Sequence, residues 1–501
     1  MSILTTLELL PLIGAFIVGF LPNSNAKLIK QVSIAISLLV AAVSILMAVR
    51  FNSGTPGFQF IESRSWIPSF NINYAVGVDG IALVLILLTT ILVPIVFLAG
   101  WNESEGGRWS VKTFYVLLLV LETMMIGVFA ATDVFLFYVI FEAMLIPVYF
   151  LIGGYGVGER AAAAIKFLLY SLFGGLLMLA AVIGIYIIST NQGGGTFDVT
   201  ELSKLTIDHP TQNWLFLGFF IAFAIKAPLW PFHTWLPSAA KSATAGTSTL
   251  LLGVLDKVGT YGMIRFCMTL FPDATKSFTP VIITLSVISI LYGAFLAIGQ
   301  KDINSLIAFT SISHFGFITL GIFAMTSQGL TGATFYMVNH GFSTAALFLT
   351  AGWMVHRRKS AQISDFGGLQ RVTPVLAWSF FIAGMSALAL PGLSSFVSEF
   401  LVLVGSFTKY PVASIFGTLG IVLAALYVLI VVQRSLHGEV KPGNESLTDL
   451  NLREKIAIAP VIVVLVVAGF FPKPIINLIN PATATVMANA GVSDPIAKAG
   501  K

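Results

Sequence analysis

Nine ionisable side chains stand inside stretches of sequence that are otherwise apolar. Glu122 lies in VLETMMIG, Glu142 in VIFEAMLIPVYF, and Lys226 in FAIKAPLWPFHTWLPS, which also carries His233. Asp256 and Lys257 lie together in GVLDKVGTYG, His314 in SISHFGF, His340 in MVNHGFST and Glu399 in FVSEFLVL. A charge at the centre of a membrane helix costs about 2.5–3.5 kcal/mol on insertion scales, so such residues are rare and usually functional.

Their types narrow the chemistry. The six histidines are scattered and none forms the H-x-x-x-H pair of a helical metal site. No Ser–His–Asp arrangement can be inferred. What remains is a row of groups that each hold or release a proton. Burial favours the neutral form of a lysine or a glutamate, and an opposite charge nearby favours the charged form. A Lys226 paired with Glu142 would keep its proton, and separating the two would expel it. Histidine, which titrates at about 6.5 when unperturbed, suits the passage of protons between such sites. Sodium would prefer several oxygen ligands, and an amine repels it. The competing reading is static: each charge locks two helices together. For His314 and His340 taken singly that reading is the stronger one, because histidine also makes ordinary interhelical hydrogen bonds. Asp256 stays open between a local salt bridge and a position facing a loop.

The elements that hold these residues follow from composition. Of 501 residues, 57% are hydrophobic and 10% charged, against about 25% charged in soluble proteins. The apolar residues fall in runs long enough to cross a bilayer, such as 80–99, 163–189, 278–298 and 412–433. The pattern predicts an all-α polytopic membrane protein with about 14 transmembrane helices. Two spans are long and carry breakers: span 7 (213–236) has Pro228 and Pro231, and span 12 (372–406) has Pro391 and Gly392. Proline removes a backbone donor, and in lipid the freed carbonyls need a neighbouring helix, water or an ion. Broken helices at corresponding places point to two inverted five-helix repeats, spans 4–8 and 9–13. The chain then divides into 1–112 with spans 1–3, 113–268 and 269–435 as the repeats, each a half-channel, and 436–501 with the last span and a C-terminal tail.

Loops on one side of these spans collect sixteen Lys and Arg residues, among them HRRK at 356–359, and the opposite side collects nine, Lys498 and Lys501 included. The excess marks the first side as cytoplasmic, with both termini outside. The N-terminal MSILTTLELLPLIGAF lacks a positive leader and a cleavage site and reads as a retained helix. The single Cys267 excludes an internal disulfide and a cysteine-ligated cluster held by this chain alone. The net charge of +5, without a basic block interleaved with aromatics, gives no sign of nucleic acid. The glycine-rich NQGGGTF at 191–197 lacks the Gly-Lys-Ser/Thr ending of a phosphate loop and reads as a turn.

AIKAPLWPFHTWLP, LLLGVLDKVGTYGMIRF, LIAFTSISHFGF, NHGFSTAALFLTAG and ALALPGLSSFVSEFLVLVG resemble the antiporter-like subunits of respiratory complex I. Within them the similarity is to the subunit M branch, the mitochondrial subunit 4 type, over roughly residues 60–475. The resemblance implies that Glu142 and Lys226 interact, that Lys257 is the central lysine, and that His314 and His340 connect it to Glu399 in the second half-channel. Glu122, His233 and Asp256 are possible accessory residues. An acid at 399, where the sister subunits and cation-antiporter relatives typically carry lysine, points to this branch. So does the lack of a long lateral helix after span 14.

The family often reads L-P-D-A-H-x-x-A-P-T after the broken span 7. Here the run is LPSAAKSATA, with Ser238, Ala240 and Thr244 at the Asp, His and Pro positions. Asn304 and Ser305 stand where Lys-Arg is often found. The resemblance further implies a proton-translocating subunit of an NADH:quinone oxidoreductase in a bacterial plasma membrane, flanked by sister subunits. NADH, FMN, iron–sulfur clusters and quinone would be bound by other subunits and no cofactor by this one. The alternatives are a subunit of a multisubunit sodium/proton antiporter and a purely structural membrane scaffold.

Overall fold

The computed structural model of the chain describes residues 2–495, so Lys498 and Lys501 lie outside the described residues. Helices α1 (Ile3–Phe20), α2 (Ala26–Arg50) and α3 (Gly80–Ala99) come first, and an antiparallel hairpin of β1 (Gln59–Ile67) and β2 (Ile72–Val78) separates the last two. Next come α4 (Val111–Ala130), α5 (Val134–Ala143), α6 (Leu145–Tyr155), α7 (Arg160–Gly193), the single turn α8 (Val199–Leu202), α9 (His209–Lys226), α10 (Trp235–Ser242), α11 (Ala245–Leu250) and α12 (Asp256–Gly262). They are followed by α13 (Pro272–Ile298), α14 (Ile303–Phe323), α15 (Ser327–Arg358), the short α16 (Leu369–Val372), α17 (Pro374–Ala387), α18 (Ser394–Phe407) and α19 (Pro411–Leu436). The chain closes with α20 (Leu452–Phe470) and α21 (Lys473–Asn489).

Among the described residues, 9 helical spans are long and apolar enough to cross a membrane, or 10 if α20 and α21, bent by 73°, count as one. One of the nine is α5 with α6. The expected count of about fourteen rests on reading α9/α10, α11/α12, α15 and α17/α18 as crossings too. These helices are interrupted, or rich in Gly, Ser and Thr, which is why they fall short by length and hydropathy alone. They also carry Lys226, Asp256, Lys257, His340 and Glu399.

Burial sorts the helices into two groups. The apolar window of α14 is 94% buried and that of α3 is 83%, whereas α2 is only 28% buried. Helices α2, α7 and α19 turn side chains such as Leu39, Phe173 and Val422 outward, as lipid-facing helices do. Every residue of α12 is buried. The helices that carry most of the intramembrane charge, together with the apolar α3, therefore lie inside, and α2, α7 and α19 wrap them, which keeps that charge away from lipid.

Four features depart from the sequence reading or add to it. The hairpin between α2 and α3 was not anticipated, since β1 is exposed irregularly and β2 is buried along most of its length, so neither strand shows a clean period of two. Span 5 breaks at Met144, immediately after the residues around Glu142. Pro147 explains this, because it cannot donate to the carbonyl of Ala143. Span 8 contains two π-helical stretches, Leu251–Leu255 and Met263–Met268. The tail expected after the last span instead contains α21, whose buried stripe is Ile479, Ala482, Thr483, Val486 and Met487. Asn477, Asn480 and Thr483 interrupt its apolar character, so it docks on the bundle at the hairpin side. Thr331 donates to Asn480 Oδ1 at 3.0 Å. A Cβ on Gly80 would lie 1.7 Å from the Leu478 carbonyl oxygen, so only glycine admits this contact. NQGGGTF is the turn expected of it: Gly194 caps α7 with φ 104°, a left-handed conformation that glycine adopts without strain.

The hairpin also anchors the N-terminus. Glu62 accepts hydrogen bonds from the hydroxyls of Ser2 and Thr5, each at 2.5 Å, and pairs with Arg64 at 2.7 Å. The Ser2 and Thr5 hydroxyls, ahead of Arg64, pull the Glu62 carboxyl down to about 2. A depressed carboxylate stabilises the fold above its unfolded value of about 4.3, and that contribution fades as pH falls toward about 2. The protection factors of the amides at the start of α1 should accordingly be high at neutral pH and fall on acidification. In Glu62→Gln the protection should be weaker at neutral pH and no longer follow this acid transition.

Candidate functional site

The first group of charges forms where α5, α7 and α9 meet. Glu142 lies one residue before the end of α5, and Lys226 is the last residue of α9. Lys226 is 1% exposed, and its Nζ lies 5.2 Å from the centre of the Phe141 ring and 5.4 Å from that of Phe167. Neither Lys226 Nζ nor Glu142 Oε1 has a hydrogen-bond partner. The two do not form an ion pair within 4.0 Å, so the interaction implied by the resemblance is open in this structure. Two glycines of α7 shape the place. A Cβ on Gly174 would lie 3.0 Å from Ala222 Cα on α9, and a Cβ on Gly175 would lie 1.8 Å from Glu142 Oε1. Gly175→Ala should therefore push the carboxylate aside. Misplacing a reacting group by about an ångström costs on the order of 10²-fold in rate, and proton pumping by the assembled complex is the measurement that checks it.

The break after Lys226 is well satisfied. The Trp235 indole donates to the Ile225 carbonyl at 2.9 Å, the Leu229 N–H reaches back to Ala224 at 3.0 Å, and the Trp230 N–H donates to Ser289 Oγ at 2.8 Å. These contacts hold a bend that Pro228 and Pro231 impose. His233 lies just beyond it, 3% exposed, its ring 4.9 Å from that of Tyr292. Next to it, Lys166 donates to the Thr234 carbonyl at 2.7 Å.

The second group is a row of neighbouring side chains, and within it His314 Nε2 has no hydrogen-bond partner. Lys257 donates to the carbonyl of Leu252, five residues back within the π-helical turn, and meets His340 Nδ1 at 2.7 Å. A π turn widens the helix and frees backbone groups, and such turns frequently mark functional sites. The Thr344 hydroxyl lies 3.2 Å from the other ring nitrogen of His340. The rings of His340 and His314 have centroids 5.2 Å apart, and His314 lies 5.8 Å from the Tyr336 ring. The Tyr336 hydroxyl donates to Glu399 Oε1 at 3.3 Å. The file thus runs Lys257, His340, His314, Tyr336, Glu399 across α12, α15, α14 and α18. Asn339 steadies its far end, donating to the Ser394 carbonyl at 2.9 Å and to Ser398 Oγ at 3.1 Å beside the broken span 12.

Tyr336 is the member that sequence reasoning missed. The signal was present, because Tyr336 stands four residues before His340 and so shares its helical face. Asp256 takes neither of the places left open for it: it is 0% exposed, and neither of its oxygens has a hydrogen-bond partner. Glu122, on α4, is also 0% exposed with both oxygens unpartnered. Two of the departures in the sequence have local roles. Thr244 caps α11 by accepting from the Thr247 N–H, and the Ser305 N–H donates to Asp302, the cap of α14. Among the described residues, no three His, Cys, Asp or Glu side chains converge as a metal site.

The chain is similar to known proteins over almost its whole length. Residues 131–425 match the family model described as NADH:quinone oxidoreductase/Mrp antiporter, TM. It is 49% identical to the NADH-quinone oxidoreductase subunit M of Mycobacterium tuberculosis, over 98% of this chain and 95% of the relative. A chain in the structure of respiratory complex I from Thermus thermophilus with bound NADH superposes with a TM-score of 0.89 at 30% identity, covering 97% of this chain and 100% of that one. A chain of the Mrp complex from a Dietzia species superposes with a TM-score of 0.86 at 21% identity, covering 97% and 98%, which shows a shared fold. A helical bundle built around intramembrane charges, with this degree of identity along its full length, places the chain in the family of antiporter-like membrane subunits, the subunit M or chain 4 type, of NADH-quinone oxidoreductase.

Proposed function

We propose that the chain is a proton-translocating membrane-arm subunit of NADH:quinone oxidoreductase, moving protons outward along Glu142, Lys226, Lys257, His340, His314 and Glu399. The observation that carries this reading is the row of titratable groups from Lys257 to Glu399 on four different helices, hydrogen-bonded at its two ends and joined in the middle by the packed rings of His340, His314 and Tyr336. A cavity of about 410 Å³ on the hairpin side, lined by Gln328, Thr331, Leu401 and Asn480, adjoins the helix of Glu399 and supports release there. A larger cavity of about 1080 Å³ at the opposite end, around Lys301 and Arg434, touches none of these residues.

In this reading residues 113–268 and 269–435 are the two repeats, each carrying a half-channel, with the broken spans 7 and 12 at corresponding places. Redox chemistry belongs to other subunits, which hold FMN, iron–sulfur clusters and the NADH and quinone sites. Sister antiporter-like subunits flank this one, and the isolated chain catalyses nothing. The excess of Lys and Arg on one side sets that side in the cytoplasm of a bacterium, with both termini outside the plasma membrane.

The test is to replace Lys226 by Ala and Glu142 by Gln, separately, in the assembled complex. Proton pumping by inverted membrane vesicles should fall by at least about 10-fold in each, with the complex still assembled. Normal pumping in both would leave only the scaffold role.

A further inference from the structure

Asp256 is fully buried and has no assigned partner, yet an apolar residue would pack that place without stranding a carboxylate. The geometry of α12 shows where it stands. Gly259 faces α9 so closely that a Cβ there would lie 2.5 Å from the Phe223 carbonyl oxygen and 2.6 Å from the Ala227 nitrogen. Those atoms close the last turn of α9 around Lys226, where the Ala227 N–H donates to the Phe223 carbonyl at 2.7 Å. Lys257 and Thr260 face the other way, toward His340 and Met337 on α15. At about 100° per residue, Asp256 lies about 60° from Gly259 and about 100° from Lys257. It therefore occupies the seam between the face on α9 and the face on α15. The charged groups whose fields reach it are Lys257 and Lys226, and those that reach Lys226 are Glu142 and Asp256. The file described above begins at Lys257, and nothing else described on α12 fills the step back to Lys226.

We propose that Asp256 is a proton carrier between Lys226 and Lys257, joining the two halves of the chain. This rests on the reading of the charged axis as a proton path. In the step, an N–H bond of the Lys226 ammonium breaks and an O–H bond forms on the Asp256 carboxylate. The O–H bond then breaks as an N–H bond forms on the neutral Lys257 amine. Net charge is conserved, with one positive charge passing from the first lysine to the second. An acid between two amines avoids placing two ammonium groups side by side, which like-charge repulsion in a low dielectric opposes.

The experiment compares Asp256→Asn, Asp256→Leu and Asp256→Glu in the whole complex, in inverted membrane vesicles. Assembly is checked by native electrophoresis and by NADH oxidation with a water-soluble electron acceptor. The Asn and Leu variants should pump at least about 10-fold more slowly, and Glu should restore most of the rate. Infrared difference spectra taken across pH should show a protonated carboxyl band that is lost in Asp256→Asn. Wild-type pumping in the Leu variant, alongside a failing Lys257→Met, overturns the carrier role and leaves the axis standing. Wild-type pumping in Lys226→Ala and Lys257→Met overturns the axis itself. Slowed pumping with an unchanged carboxyl band makes Asp256 a fixed counter-charge and also overturns the proposal. Where Asn and Leu prevent assembly, the infrared band of the Glu variant decides: a carboxyl band that moves from its wild-type position and follows pH supports the carrier role, and one that does not respond to pH overturns it.

Discussion

Lys257→Met is expected to abolish proton pumping while leaving the chain in the assembled complex. Lysine and methionine have similar volume and flexibility, so the packing of a fully buried α12 changes little. What is lost is specific. The Leu252 carbonyl loses its side-chain donor and His340 Nδ1 its partner, and an unsatisfied buried polar group costs about 1–3 kcal/mol. The proton file also loses its first member on the side of Glu399. General acid–base groups contribute about 10²–10⁴-fold, so a fall of at least about 10² in pumping rate is expected. A dye that reports acidification of inverted vesicles reads it directly, with NADH oxidation followed in parallel. Lys257→Arg separates the two roles. Arginine keeps a positive charge and donors but does not release its proton. A static Lys257 would be replaced well by arginine, whereas a proton-carrying one would not. Pumping in the arginine variant near the wild-type rate would remove Lys257 from the path.

The second large effect is on stability. Arg265 Nη2 and Asp79 Oδ2 form an ion pair of 2.6 Å, with the side chains 7% and 6% exposed. It ties the π-helical end of span 8 to the start of α3. Asp79 also caps α3, accepting from the Ala82 N–H at 2.9 Å, and Arg265 donates to the Tyr261 hydroxyl at 3.2 Å. Removing one partner leaves an uncompensated buried charge, which costs about 3–5 kcal/mol. Arg265→Met and Asp79→Asn should each lower the temperature at which the complex loses its activity, and should reduce the amount of chain recovered in it. Asparagine retains the cap, so its effect isolates the stranded guanidinium. The double variant should recover much of the loss, because neutralising both partners removes both buried charges. A double variant as unstable as the sum of the singles would mean that the pair contributes through packing rather than charge.

The candidate site was legible in the sequence to the extent that it depends on charge. Glu142, Lys226, Lys257, His314, His340 and Glu399 stand out because an ionisable residue contrasts with its apolar run. Tyr336 did not, because a tyrosine carries no charge and is common in membrane helices. Its place in the file follows from a four-residue spacing to His340 that becomes meaningful only once His314 and Glu399 are seen on either side of it. The broken spans 7 and 12 were legible from proline, and Pro147 could have revealed the break beside Glu142. The hairpin was not legible, since β1 is exposed irregularly and β2 is mostly buried, so neither carries a clean alternation.

The sequence by itself determined that this chain is a helical membrane protein with charges and breaks at its middle. The penalty for placing a charge or a proline in lipid is a property of each helix alone, and it can be read without knowing the neighbours. Only the tertiary structure decided which of those charges touch. It closed Lys257 on His340 and Tyr336 on Glu399, left Glu142 and Lys226 unpaired, and set Asp256 in a seam between two helices. Those outcomes depend on which helices are adjacent and how near they come. Glycines such as Gly175 and Gly259 set that approach by what their missing side chains would otherwise strike, and the struck atoms lie on other helices.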